Sequence, residues 1–307
     1  MTNSLWTEKY RPGTLTGYVF KDTGQKAQIE KWVRTKELPH LLFSGAAGTG
    51  KTTLAKILIN EVGINAFDVL EINASRENSV DTIRDKITGF VSTIPFGTFK
   101  IVLLDEADYI SPNGQAALRG VMETYASTAR FILTCNYPNK IIPALHSRCQ
   151  GFHIEKLDQV EYTARVAEIL ITENIEFDID TLDLYVRTAY PDLRKCINTV
   201  QMNANEGKLL KPSESNNSTA DYKLAAIEMF KAGNIKQARE LMCSQIRPEE
   251  IDDVFRFLYD NLDLWSSTED GQDQAILIIR NGLRNAALVA DPEINLSATL
   301  IELSLIE

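Results

Sequence analysis

The 307-residue sequence is poor in cysteine and histidine and has no excess of basic residues. Its four cysteines (Cys135, Cys149, Cys196, Cys243) form no C-x-x-C pair, and the three histidines complete no zinc spacing. Those absences exclude a zinc module and a disulfide scaffold, and leave reduced thiols in an intracellular, cytoplasmic protein as the expectation. No run approaches the roughly 18 apolar residues of a membrane span. The opening MTNSLWTEKY has no apolar signal core. Lysine and arginine total 32 against 42 aspartate and glutamate, for a net charge of −10, which argues against a simple nucleic-acid binder. The deficit is uneven, however. Residues 1–153 hold 17 basic and 14 acidic side chains (net +3), and residues 154–307 hold 15 and 28 (net −13). A mildly basic half and a strongly acidic half imply separate jobs.

What is present is an ordinary globular composition, 44% apolar and 24% charged, enough to exclude general disorder. The length suits about two or three domains. HLLFSG (40–45), DVLEINA (68–74), IVLLDEAD (101–108) and ARFILTCN (129–136) read as strands. Nearly continuous apolar strands of this kind suit a parallel sheet buried on both faces. Helical patterns over 51–62, 79–92 and 113–125 alternate with them, giving an α/β nucleotide-binding layout. Past residue 154 the strand signal fades. Helical segments are expected over 158–172, 179–189 and 191–203, then a linker, KPSESNNSTAD (211–221), rich in Ser, Asn and Thr. Further helices are expected over 222–232, 235–244, 249–264, 272–289 and 295–305.

The chemistry concentrates in the first half. GAAGTGKT (45–52) follows a strand and opens a helix. Gly45, Gly48 and Gly50 let the loop curl its amides around a triphosphate, with Ala46, Ala47, Thr49 and Thr53 completing the cradle. Lys51 reaches the β and γ phosphates and the Thr52 hydroxyl holds Mg²⁺. LLDEAD (103–108) supplies Asp105 for the metal shell and Glu106 to polarise a water. Asn136, at the end of the fourth strand, can hydrogen-bond both the γ phosphate and that water, or be a turn former. Arg148, in HSRC (146–149), has no acid near it in sequence; it is either a solvated surface residue or a finger acting on a neighbouring subunit's ATP. Arg194, in YPDLRKC (190–196), starts a helix and could fold back onto the γ phosphate of its own subunit.

WTEKYRP (6–12), GAAGTGKT, LLDEADYISPNGQAALRGVMETY (103–125), TCN (134–136), HSRC and YPDLRKC fall in one order and spacing. Together they resemble the sliding-clamp loader ATPases, a family that includes the small subunits of replication factor C and the ATPase subunit of tailed-phage clamp loaders. The likeness is strong over residues 5–203. It implies an AAA+ parallel-sheet domain over 1–153, a helical lid over 154–212 and a helical collar over 213–307 that joins about five subunits in a ring. It also implies that Tyr10, Arg11, Pro12 and Val19 line the adenine pocket. Asn136 would be the first sensor, Arg194 the second, and Arg148 the finger acting in trans. Partners implied are a sliding clamp, primer–template DNA and other loader subunits, at a replication fork in a prokaryotic or phage-infected cell, or in a nucleus.

Two weaker sites follow from the resemblance. Ile94 and Phe96, in STIPFGTFK (92–100), are either exposed anchors for the clamp or caps on the core. Ser111, Asn113, Gln115 and Arg119, on and before the helix near 113, would track the DNA backbone, with Arg76 and Arg84 as lesser candidates. A solvated helix face is the alternative for all six. The chain departs from the family in having Ala46 and Ala47 where two prolines are common, and Arg119–Gly120 where a basic pair is common. Two other functions compete: a non-catalytic loader subunit, which Lys51, Thr52, Asp105 and Glu106 disfavour, and an AAA+ motor of another purpose, such as a branch-migration helicase, which lacks support from any pore loop or winged-helix pattern.

Overall fold

The computed structural model describes residues 5–77, 80–154, 157–211, 222–245, 251–286, 288–289 and 291–306. The proposed linker therefore lies almost wholly outside the described residues. Two compact units divide the chain: Met1–Ile169 with Pro191–Asn198, and Leu170–Tyr190 with Thr199–Glu307.

The first unit is built on a parallel sheet of five strands in the order β2-β3-β4-β1-β5. These are β1 (Leu41–Gly45), β2 (Val69–Asn73), β3 (Lys100–Asp105), β4 (Ala129–Cys135) and β5 (Gln150–Ile154). The first four coincide with the expected strands to within a residue or two, apart from the acidic tail of the third. β5 went unforeseen because QGFHI is short and alternates exposed and buried at its end, as an edge strand does. Helices α1 (Trp6–Lys9), α2 (Thr23–Thr35), α3 (Lys51–Val62), α4 (Val80–Val91), α5 (Pro112–Thr124), α6 (Pro143–His146), α7 (Gln159–Thr172, to Ile169 in this unit) and the start of α9 (Leu193–Asn203) surround it.

Local chemistry sets those helix ends. Asp22 caps α2 by accepting the Gln25 amide at 2.7 Å. Ser111 caps α5 with Pro112 in its first turn, a favoured pairing at a helix start. Alternation along the strands divides the core. Leu42, Ile72, Val102, Leu104, Phe131 and Leu133 pack with Ile87 and Val91 of α4 and Leu118 and Met122 of α5. Their buried neighbours Leu41, Phe43, Ile101, Leu103 and Ile132 face the other way, and α3 packs on β1, β3 and β4. Trp32 of α2 meets Phe152 of β5 at 5.3 Å between rings.

The second unit contains α8 (Ile179–Ala189), capped by Asp178, and a small hairpin of β6 (Ala204–Asn205) and β7 (Lys208–Leu209). Glu206 and Gly207 both take positive φ at its tip, the geometry a two-residue hairpin turn requires. Its remaining helices are α10 (Tyr222–Lys231), α11 (Ile235–Gln245), α12 (Ile251–Asp260), α13 (Glu269–Ala286) and α14 (Pro292–Ser304). α13 packs on α12 and α14, and α11 on α10 and α14. Trp265, which donates its indole N–H to the Leu258 carbonyl at 3.2 Å, stacks edge-on against Phe230. The expected helix over 249–264 is shorter than read: Leu262–Leu264 forms a separate 3₁₀ turn. Among the described residues no helix is long and apolar enough to cross a membrane.

Candidate nucleotide-hydrolysis site

The sheet order places β1, β4 and β3 side by side, so the loop after β1 and the ends of β3 and β4 converge. Ligands of open parallel sheets bind at the carboxyl ends of strands for this reason. Gly45 ends β1 with a backbone that turns away at φ 147°, and a Cβ there would lie 1.9 Å from the Ile154 carbonyl oxygen of β5. Only glycine lets the loop leave the sheet at that point. Gly50 then precedes the first turn of α3 in the left-handed conformation.

Lys51 is buried and donates to the carbonyls of Gly45 at 2.9 Å and Ala46 at 2.6 Å. Burial pulls its pKa down, opposed by Cys135, Asp105 and Asp108. An ammonium held across its own loop is placed for the phosphates the loop encircles. Thr52 donates its hydroxyl to Asp105 Oδ1 at 2.6 Å. A hydroxyl and a carboxylate in that contact suit a hard divalent cation. Among the described residues, no cluster of three or more His, Cys, Asp or Glu could hold a metal by itself.

Thr134 ties the acids together, although no motif marks it in the sequence. Its hydroxyl donates to Asp105 Oδ1 at 2.6 Å and accepts the Glu106 amide at 3.0 Å. Glu106 sits in the left-handed region at φ 58°, where a non-glycine residue is strained and needs such support. Asp108 accepts the amides of Asn136 at 3.2 Å and Tyr137 at 3.1 Å, so the end of β4 is fixed to the end of β3.

Beside the phosphate loop lies an open cleft lined by Tyr10, Arg11, Pro12, Tyr18, Val19, Gly48, Thr49, Gly50, Thr53, Arg194 and others. It gathers all four residues expected around the base together with four residues of the loop and Arg194. Tyr18 and Arg165 also line it and were missed in sequence. Tyr18 donates to the Thr49 carbonyl at 3.3 Å, and burial drives its pKa up. Arg165 donates to the Tyr10 carbonyl at 2.9 Å, holding the 6–12 segment in place.

Arg148 is not among the residues lining this cleft. It has an acid partner after all: Glu123, on α5, accepts its guanidinium. That acid lies 25 residues earlier in the chain, beyond the reach of local spacing.

The candidate DNA residues divide. Arg76, Arg84, Ser111, Asn113 and Arg119 are exposed. Ser111 accepts the Gly114 amide as the helix cap, and Arg119 lies 3.8 Å from Glu123. Gln115 is a correction. It is 1% exposed, donates to the carbonyls of Ile110 and Lys140 and accepts the Ile142 amide at 2.8 Å. All its capacity lies inside the fold, so it is not a phosphate contact. Ile94 and Phe96 are 89% and 78% exposed and therefore do not cap the core. Phe67, also exposed, joins them, its ring 5.8 Å from that of Phe96.

Residues 41–156 match the ATPase family associated with various cellular activities (AAA). A replication factor C small subunit of Methanococcus vannielii is 35% identical over 90% of this chain and 84% of its own length. That of Thermofilum pendens is 34% identical over 100% of this chain and 98% of its own length. Among solved structures, the RuvB Holliday junction branch migration motor of Thermotoga maritima aligns with a TM-score of 0.53 at 16% identity, over 63% of this chain and 64% of that one. At that identity the likeness concerns the fold alone.

Proposed function

Because the chain belongs to the replication factor C small-subunit family and is an AAA ATP hydrolase, we propose that it is an ATPase subunit of a DNA sliding-clamp loader. Tyr10, Arg11, Pro12 and Val19 hold the adenine, and the loop from Gly45 to Thr53 holds the phosphates. Mg²⁺ belongs with Thr52 and Asp105, where it would neutralise charge on the β and γ phosphates. Glu106 takes the attacking water's proton, with its backbone set by Thr134. Asn136 and Arg194 contact the γ phosphate from two sides.

One observation carries the multi-subunit reading. Arg148 lies just before the start of β5, where Gln150 is paired with Leu41 at the start of β1, so it stands at the end of the sheet opposite the phosphate loop, held by Glu123 and by the Ala144 carbonyl at 2.7 Å. An arginine so placed completes a neighbour's site instead of its own. Exposed Leu277 and Leu283 on α13 and Ile294 and Ile301 on α14 give the collar, residues 213–307, apolar surface for joining subunits. Residues 1–153 form the motor and 154–212 the lid.

In this scheme ATP binding draws the subunits into a spiral that grips an open clamp through Ile94 and Phe96. It holds primer–template DNA through Arg76, Arg84, Ser111, Asn113 and Arg119. DNA then aligns Glu106 with the neighbour's Arg148, and hydrolysis releases the loaded clamp. With contacts this few per subunit, DNA affinity sums around the ring and an isolated subunit binds poorly. Size-exclusion chromatography of the assembled complex with clamp and primed DNA tests this. The clamp should co-elute with the complex in a non-hydrolysable ATP analogue and not in ADP. Nucleotide-independent elution, or tight DNA binding by the isolated subunit, would overturn the proposal.

A further inference from the structure

The carboxylate of Asp192 occupies the space a side chain at Gly48 would need. A Cβ on Gly48 would lie 1.7 Å from Asp192 Oδ1 and 2.1 Å from its Cγ. The remaining groups of Asp192 are also committed. Oδ1 accepts the Lys195 amide at 2.9 Å and caps the first turn of α9. Its main-chain carbonyl accepts the hydroxyl of the fully buried Tyr162 at 3.1 Å and the amide of Cys196 at 3.1 Å. One residue thus joins α7, the start of α9 and the phosphate loop, all within the first unit.

A carboxylate seated over a triphosphate site needs explanation, because it is half-buried and of the same sign as the ligand. Burial pushes its carboxyl pKa up, and Arg194 and Lys195 are the charges that oppose the rise. Helix capping alone does not require the group to stand on the loop. What the seat does accomplish is to fix the segment carrying Leu193, Arg194 and Ile197, which lines the cleft. Arg194 also contributes to the electrostatic field at Lys51, so its placement bears directly on the phosphate site.

We propose that Asp192 is a positioning residue of the ATPase: by seating the start of α9 on Gly48, it sets where Arg194 stands relative to the phosphates. Glycine at 48 has two reasons to be there, its φ of 71° and the room it leaves for this carboxylate. The inference rests on the reading that Arg194 contacts the γ phosphate. A positioning error on the order of 1 Å costs up to about a hundredfold in such sites, so the seat matters although Asp192 touches no reacting atom.

The test measures ATP and ADP affinities for the assembled complex carrying Arg194→Ala, Asp192→Asn, Asp192→Gly, Gly48→Ala and two double variants, with a thermal melt for each. Glycine is tolerated at a helix cap and removes both the γ carbon and the carboxylate that stand on the loop; asparagine keeps both cap and shape. Arg194→Ala should reduce the preference for ATP over ADP by about tenfold or more. Asp192→Gly should reproduce that loss with at most a small fall in melting temperature, Asp192→Asn should keep the preference, and Asp192→Gly/Arg194→Ala should be no worse than Arg194→Ala alone. Gly48→Ala should cost about tenfold less in the Asp192→Gly background, because the positive-φ strain is common to both backgrounds and only the collision is relieved. Additive losses in the Asp192–Arg194 pair, or an equal cost of Gly48→Ala in both backgrounds, would overturn the seat. If Arg194→Ala leaves the ATP preference intact, the reading of Arg194 fails, while the Gly48–Asp192 coupling still decides whether the seat exists.

Discussion

Glu123, near the end of α5, accepts a charge-assisted hydrogen bond from Arg148, the arginine proposed above to act on a neighbour's ATP. Both side chains are partly exposed, and exposed pairs contribute only about 0.2–1 kcal/mol. The pairing is therefore strong enough to park the guanidinium in a lone subunit and weak enough to release it. Replacing Glu123 by Gln should raise turnover at a fixed subunit concentration, by no more than about fivefold. Steady-state ATPase assays over a concentration series check this. A fall in turnover would mean that Glu123 helps to present the arginine rather than restrain it.

Arg148→Ala should leave ATP affinity unchanged and lower DNA- and clamp-stimulated hydrolysis by about a thousandfold or more, the range of an arginine finger. Mixing experiments locate the defect. Wild-type subunits placed next to the variant should lose activity at the interface the variant faces, and normal stimulated turnover in the pure variant would remove the trans assignment.

Thr134→Val keeps the shape of the side chain and deletes the hydroxyl that bonds Asp105 Oδ1 and the Glu106 amide. Without it nothing described holds Glu106 in its left-handed backbone from the β4 side. Turnover should fall about ten- to a hundredfold, with ATP affinity within about twofold, and Thr134→Ser should restore most of the rate. Nucleotide titrations beside steady-state kinetics separate the two effects; a matching loss of affinity would place Thr134 in binding.

The contrast between Thr134 and its neighbours explains how far the sequence could be read. Lys51, Thr52, Asp105 and Glu106 announce themselves because their chemistry is carried by local spacing just after, or at the end of, strands buried on both faces. Thr134 does its work through Asp105 and Glu106, 28 or more residues away in the chain. Arg165 reaches Tyr10 across 155 residues, and Asp192 meets Gly48 only in space. Such residues have ordinary identities, and only the fold pairs them. β5 and the β6–β7 hairpin went unread for a related reason: they are short and partly polar, so they lack the apolar run that marks a central strand.

Gln115 and Arg119 share α5 and separate stability from DNA contact. Gln115→Ala leaves the Ile142 amide and the carbonyls of Ile110 and Lys140 without their partner. Unmade bonds to buried groups of this kind cost about 1–3 kcal/mol apiece, and a total loss of about 3 kcal/mol is expected after partial relaxation. Arg119→Ala, at an exposed position, should stay within about 0.5 kcal/mol of the wild type. It should instead weaken primed-DNA binding by the complex and make its salt dependence shallower. Urea denaturation and a salt titration read the two effects; a stable Gln115→Ala variant with weakened DNA binding would restore the surface role the structure denies it.

His40, just ahead of β1, ties acid sensitivity to the sheet. Its Nδ1 accepts the Phe131 amide at 3.1 Å, so it acts there as a neutral ring. Burial, and then the charge of Arg130, lower its pKa from 6.5 to about 4. Between those two values the unfolded chain holds more protons than the folded one, so acid favours unfolding in that window. The contribution is complete above about pH 6.5 and is lost as pH falls towards 4. His40→Asn offers an acceptor in a similar place but does not titrate. It should lower stability at pH 7, because the ring also packs edge-on against Phe131 at 5.5 Å, yet lose less on going from pH 7 to pH 5. Urea midpoints at the two pH values give the comparison, and equal losses in variant and wild type would move the acid-sensitive group elsewhere.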